Sequence, residues 1–173
     1  FLHGDGGPAS AWASRAQPGD EIAVAGPGGK KLLDFSADWF VLAGDMTALP
    51  AISVNIEQLP DHARGYAVIE ILHESDIQAF QTPEAFEIHW VINPTPEKEN
   101  TLLLDKVMQL PWLEGNPSIW AACEFSSMRA LRRYFKQDKN VAKKSVYVSS
   151  YWKCGLSEEQ HKKVKRTDAE TAG

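Results

Sequence analysis

Cysteine is nearly absent from this chain of 173 residues: Cys123 and Cys154 are the only two, and no C-x-x-C pair or metal-ligand spacing exists. A disulfide framework and a zinc ribbon are excluded, and a reduced, cytoplasmic protein is the expected setting. No run of about 18 apolar residues occurs, so no membrane insertion is expected. The five histidines, His3, His62, His73, His89 and His161, are scattered without the i, i+3 or i, i+4 spacing of a ligand pair, so no metal site is expected in the protein itself. Also missing are aromatics interleaved with basic residues as in an RNA-binding sheet, and any zinc-finger or helix-turn-helix pattern. Nucleic acid is therefore not an expected partner.

What is present is enough apolar material for a core, 43% of the residues, and a strong asymmetry of charge. Residues 1–124 hold 6 basic and 18 acidic side chains, whereas residues 125–173 hold 12 basic and 5 acidic ones. The net charge of −5 thus divides into −12 and +7, with the basic end suited to an anionic partner or to solvation alone.

The densest signal is Trp39-Phe-Val-Leu-Ala-Gly-Asp-Met-Thr-Ala-Leu-Pro50. An unbroken apolar run reads as a parallel strand covered on both faces. Gly44 offers a tight turn, Thr47 a helix cap, and Pro50 a first-turn residue. A strand, a small-residue turn and a helix N-terminus can seat a phosphate, although Asp45 stands where a second glycine would admit one. The spacing fits an ordinary strand-to-helix connection equally well.

Beyond it, strands are expected over Trp39–Ala43, Tyr66–Leu72, Phe86–Ile92, Ser118–Cys123 and Ser145–Tyr151, with helices over Ala48–Leu59, Asn100–Leu110 and Ser126–Phe135. This alternation predicts an α/β fold, a parallel sheet with helices on both faces. Ligands of such sheets bind outside the strand C-termini, which puts Gly44, Leu72, Ile92 and Cys123 on one rim. Ahead of it lie a helix candidate, Pro8–Ala16, and an alternating strand candidate, Glu21–Ala25. Gly26-Pro27-Gly28-Gly29 marks a boundary. Ser157–Gly173 is a charged tail, expected to be a helix that frays to disorder.

Five segments carry a resemblance to a known family: His3-Gly4-Asp5-Gly6-Gly7-Pro8-Ala9-Ser10-Ala11-Trp12-Ala13; Pro18-Gly19-Asp20 with Gly26-Pro27; Leu42 to Ala51; Ser150-Tyr151-Trp152-Lys153-Cys154-Gly155; and Trp120-Ala121-Ala122-Cys123-Glu124. Residues 1–155 resemble the latter part of a siderophore-interacting protein, a group of FAD-dependent ferric-siderophore reductases related to ferredoxin–NADP reductases. The resemblance implies that residues 1–28 end an antiparallel flavin-binding β-barrel, that 29–155 form an NAD(P)-binding domain, and that 156–173 are a basic tail. Phe1-Leu2-His3-Gly4 accordingly reads as the end of a strand already under way.

The same resemblance assigns Gly4, Gly7, Pro8, Ala9 and Ser10 to the FAD diphosphate and His3 to a flavin contact. Read from its residues alone, that glycine turn is equally a capped surface turn. By resemblance, Gly44, Asp45, Met46 and Thr47 form the loop for NADH or NADPH, with Cys123 and Glu124 beside the nicotinamide. Glu74, with Asp76, follows the second strand, where an acid favours the ribose of NADH over the phosphate of NADPH. Tyr151 or Trp152 would lie near the flavin ring, and Lys153, aided by Arg129, Arg132 and Arg133, would draw in a negatively charged ferric siderophore. Electrons would pass from NAD(P)H, or from ferredoxin, through FAD to Fe(III). A reductase with a protein or quinone acceptor is the alternative.

Overall fold

The computed structural model describes residues 7–24, 29, 31–97 and 100–171, and the chain divides into two compact units, Phe1–Lys30 and Lys31–Gly173. In the first unit, one short helix, α1, spans Gly7–Ala13, two turns instead of the longer helix expected to Ala16. The alternating segment at Glu21–Ala25 does not form the expected strand: residues 21–24 take no regular secondary structure, and Ala25 lies outside the described residues. Alternation alone cannot make a strand without a partner to hydrogen-bond it.

The second unit is built on five strands: β1 (Trp39–Asp45), β2 (Arg64–Ile71), β3 (Ala85–Ile92), β4 (Pro117–Glu124) and β5 (Val146–Trp152). All are parallel, in the order β3-β2-β1-β4-β5. The central strand β1 is buried along its whole length, as its apolar sequence requires.

Its side chains divide strictly by parity. Trp39, Val41 and Ala43 enter a core with α3 (Leu102–Gln109) and α4 (Phe125–Arg133), through Leu103, Val107, Met128 and Leu131. Phe40 and Leu42 enter the opposite core with α2 (Leu49–Ile56), through Leu49, Ile52 and Ile56. Helices therefore cover both faces, and each such side chain contributes about 1.5–3 kcal/mol by leaving water. The large buried indoles have polar partners: Trp120 Nε1 donates to the Lys31 carbonyl at 2.8 Å, and Trp39 Nε1 to that of Gly115 at 3.3 Å.

Two glycines are dictated by contact distance. Gly65 adopts φ +137° where β2 begins beside β1, and a Cβ there would lie 1.9 Å from the Phe40 carbonyl oxygen. Gly44 was expected to supply a turn, but β1 runs on through Gly44 and Asp45. Its missing side chain instead admits close packing: a Cβ would sit 2.6 Å from the Ala122 oxygen and 2.8 Å from Ala48 Cβ.

The tail forms the expected helix, but over the described residues it is docked rather than frayed: Glu158–Thr171 is α5, whose His161 is buried and hydrogen-bonded through Nε2 to Ser150 Oγ at 2.7 Å. Lys165 Nζ donates to Ser149 Oγ and to the Ser150 carbonyl, both at 2.8 Å. A composition rich in charge signals disorder only where no docking surface exists, and the edge strand β5 provides one.

Candidate functional site

From β1 the chain crosses to β2 on one side, and it later returns to β4 on the other. The crevice above the carboxyl ends of β1 and β4 is therefore the switch point of the sheet, the place where such folds bind ligands. Asp45 sits at that point with 7% of its surface exposed. Its Oδ1 accepts from the Thr47 amide at 3.0 Å and from the Thr47 hydroxyl at 2.5 Å. Its Oδ2 accepts from the Glu124 amide at 2.8 Å and from Trp152 Nε1 at 2.7 Å. One carboxylate thus ties together the ends of β1, β4 and β5, satisfied by four donors.

Glu124 extends the arrangement as the N-cap of α4, accepting from the amides of Ser126 and Ser127 through Oε2, and from Cys154 N at 3.3 Å through Oε1. The register slips between Cys123–Ser150 and Glu124–Trp152, leaving Tyr151 as the extra residue of β5. This bulge re-aims Trp152 toward Asp45.

A cavity of about 180 Å³ opens beside these groups, bordered by Asp45, Glu70, Glu97, Cys123, Glu124 and Lys153 among others. Glu70 accepts from Asn93 Nδ2 at 2.9 Å. Burial raises its pKa above the ordinary carboxylate value; the Asn93 hydrogen bond opposes this, and the charges of Asp45 and Glu124 add to it. Cys123 is fully buried, and desolvation, followed by the fields of Asp45, Glu70 and Glu124, pushes its thiol well above the usual range. A thiol so held is no nucleophile, and Cys123 serves as cavity wall.

A second, larger hollow of about 670 Å³ lies next to it, lined by Phe125, Arg129, Arg132, Arg133, Lys136, Lys153 and Asp168. Lys153 and Ser126 border both spaces. The Lys153 ammonium lies 4.4 Å from the centre of the Phe125 ring, which holds the cation by its face. Arg132 pairs with Asp168 of α5, and Arg129 Nε lies 3.4 Å from the other oxygen of the same carboxylate. The positive field expected from the arginines is therefore reduced by one resident charge.

Asp45, Cys123, Glu124, Trp152 and Lys153 converge at this corner. Thr47 joins them through Asp45, but its amide and hydroxyl are both engaged there, so neither faces outward as a free phosphate donor. Thr47 does not cap α2 either; Asp45 caps the 3-10 turn Met46–Ala48 that leads into it. Met46 leans against the α2-side core. Glu74 is exposed in a turn after β2, and Asp76 is committed to that turn, its carboxylate accepting from the His73 amide at 2.9 Å. Tyr151 is exposed, edge-on to Trp120 at 6.3 Å.

Gly7, Pro8, Ala9 and Ser10 lie in α1, where the Ser10 carbonyl accepts from Ser14 N at 3.0 Å; His3 and Gly4 lie outside the described residues. Sequence reasoning missed Glu70, Asn93 and Asp168. A lone acid inside the apolar run Tyr66–Ile71 was the available signal for Glu70; for Asp168 there was none. Among the described residues, no group of three or more His, Cys, Asp or Glu could hold a metal ion, and no helix is long and apolar enough to cross a membrane.

A family profile described as siderophore-interacting protein matches residues 37–155, the sheet and the cavity-bearing rim alike. The chain belongs to the siderophore-interacting protein family. A second profile, the siderophore-interacting FAD-binding domain, matches residues 1–31. Among curated relatives in the family, the ferric vibriobactin reductase ViuB of Vibrio cholerae is 35% identical over 162 residues, which take in 92% of this chain and 59% of that protein. The ferric acinetobactin reductase of Acinetobacter baumannii is 34% identical over 166 residues, 94% of this chain and 57% of that one. The crystal structure of the siderophore-interacting protein SipS from Aeromonas hydrophila superposes with a TM-score of 0.81 at 31% identity, covering 98% of this chain and 66% of SipS. The chain spans about three-fifths of the length of the curated relatives it matches.

Proposed function

We propose that the chain is the nucleotide- and substrate-binding part of a cytoplasmic, FAD-dependent ferric-siderophore reductase, which passes electrons from NAD(P)H to chelated Fe(III) and releases Fe(II). The observation that carries this reading is the adjacency of two unlike cavities sharing Lys153, one acidic at the switch point and one basic beside it.

The acidic cavity suits the nicotinamide end of a dinucleotide. Glu70, Glu97 and Glu124 favour hydrogen-bond donors and developing positive charge, and they disfavour phosphate. Glu70 is held by Asn93 for that purpose, and Cys123 keeps the wall apolar and unreactive. The diphosphate then lies away from Asp45, along the outer part of the rim. NADH is preferred to NADPH because Glu74 is exposed after β2, where a second phosphate would meet it. Ferredoxin is a further candidate donor.

The basic groove suits the anionic chelate. Lys153, held against Phe125, and Arg133 and Lys136 around it concentrate a ligand of negative charge beside the acidic cavity. In the family reading, residues 1–28 end the flavin barrel, Gly4, Gly7, Pro8, Ala9 and Ser10 hold the FAD diphosphate, and His3 contacts the flavin. Tyr151, the exposed aromatic of the bulge, fits the contact with the flavin ring better than Trp152, whose indole N–H is committed to Asp45. The flavin, when bound, supplies the redox chemistry, and the residues here contribute position and charge.

The test uses the intact flavin-loaded protein, reduced with NADH under anaerobic conditions and mixed with a ferric tricatecholate, a ferric trihydroxamate or a quinone, while Fe(II) is trapped by a coloured chelator. Reoxidation by a ferric chelate with stoichiometric Fe(II) is expected; reoxidation by the quinone alone would overturn the assignment in favour of the alternative acceptor. Lys153→Ala is expected to weaken tricatecholate binding by about two- to tenfold, roughly 0.5–1.5 kcal/mol, with the loss shrinking as salt is added.

A further inference from the structure

His161, Val164, Lys165 and Asp168 are spaced i, i+3, i+4 and i+7, and so form one face of α5. That face is turned inward: His161 and Lys165 bond β5, Val164 packs on the core, and Asp168 reaches Arg129 and Arg132 of α4. α5 begins after the stretch matched by the family profile, yet it delivers a carboxylate into the groove. Asp168 and Arg132 are largely shielded from water, their side chains 13% and 17% exposed, whereas Arg129 is 65% exposed. Only one of the four residues on the docking face is apolar, so the helix is held mainly by polar contacts, and of these the Asp168 ion pairs are ones a competing anion could take over.

We propose that Asp168 determines the charge specificity of the basic groove: it occupies Arg129 and Arg132 as a resident carboxylate, and an anionic ligand gains those guanidinium groups only by displacing it. The groove then presents Arg133, Lys136 and Lys153 to any arriving anion, while Arg132 is withheld and the exposed Arg129 is engaged in part through its Nε. Removing the Asp168 charge has two effects of the same sign. It adds one unit of positive charge to the field, whose attraction grows with the charge of the ligand. It also leaves Arg132, shielded from water, without its partner, so that a bound anion relieves an unfavourable burial. A neutral ligand gains nothing from the first effect and cannot supply the second.

The inference rests on the groove being an anion site, as proposed above, and the test separates the two. Asp168→Asn and the unaltered protein, both intact and flavin-loaded, are titrated with ferric tris-catecholate, which carries three negative charges, and with a neutral ferric trihydroxamate. Inorganic pyrophosphate is added separately while thermal unfolding is followed. With Asp168→Asn, tris-catecholate is expected to bind about tenfold tighter at low salt and within twofold of the unaltered protein at high salt, since screening removes the gain. Trihydroxamate affinity is expected to stay within about twofold, because an uncharged ligand has no Coulombic term to gain. The variant is expected to melt lower and to be raised more by pyrophosphate than the unaltered protein.

If neither tris-catecholate nor pyrophosphate favours the variant, the role assigned to Asp168 is wrong. If pyrophosphate favours the variant but neither ferric chelate binds either protein, Asp168 keeps its role and the reductase reading of the groove fails. Should Asp168→Asn not fold, Arg129→Gln and Arg133→Gln provide the comparison through tris-catecholate binding. Masking by Asp168 makes the Arg129 loss the smaller, and equal losses would overturn the proposal.

Discussion

Asp45→Asn is the sharpest probe of the switch point. The carboxylate receives four hydrogen bonds, two on each oxygen, from Thr47 N, Thr47 Oγ1, Glu124 N and Trp152 Nε1. An asparagine has the same shape but only one acceptor oxygen; its amide nitrogen must face two donors whichever way it turns. A hydrogen bond to a charged acceptor contributes roughly 1.5–3 kcal/mol, and stranded buried donors add their own desolvation. Two such bonds lost in adjacent positions do not add fully, so a total of about 3 kcal/mol is expected. With a urea m-value of about 2 kcal/mol/M for a chain of this size, the unfolding midpoint should fall by about 1.5 M.

Trp152→Phe removes one of the four donors to the carboxylate and should cost about 1.5–3 kcal/mol. Because the charged contact of the indole N–H with Asp45 is lost in either substitution, the double variant should lose less than the sum of the two by about 1 kcal/mol. An Asp45→Asn midpoint within the error of the parent, or strict additivity with Trp152→Phe, would refute the claim that this carboxylate joins the three strand ends.

Gly44→Ala should destabilise by about 1–3 kcal/mol, measured as a loss in unfolding midpoint at unchanged m-value, because the new methyl enters a space closed by the Ala122 carbonyl and Ala48. Glu70→Gln should act with a pH dependence set by the raised pKa of Glu70. In the unfolded chain this group ionises near its ordinary value, whereas in the fold burial holds the proton longer, so the native state loses stability as pH rises from that ordinary value through the folded one. Glutamine retains the acceptor for Asn93 without the charge, so the variant should match the parent under acid conditions and be the more stable at neutral pH. Chemical denaturation at a series of pH values checks this, and a parent that gains stability over that range relative to the variant would contradict it.

The sequence by itself determined the elements and their class. The inner strands β1, β2 and β4 announce themselves as largely apolar runs, the edge strands β3 and β5 as shorter β-branched and aromatic stretches, and the helices between them by spacing, because burial on two faces and the 3.6-residue period are local properties that a window of ten residues contains. Motifs in order were likewise enough to place the chain in its family. The tertiary structure alone decided how the polar residues are used. Asp45 read as an obstacle to phosphate, and it became a keystone because Trp152, 107 residues away, arrives beside it on β5 through a bulge. Gly44 read as a turn and is a contact, since what it must avoid, the Ala122 carbonyl, belongs to another strand. The tail read as a charged, fraying helix and is a docked one, because His161, Lys165 and Asp168 find partners on β5 and α4. Apolar burial is non-directional and leaves a periodic trace in one dimension. Hydrogen bonds and ion pairs are directional and act between single atoms, so their partners are chosen only when the sheet has brought distant segments within three ångströms or so.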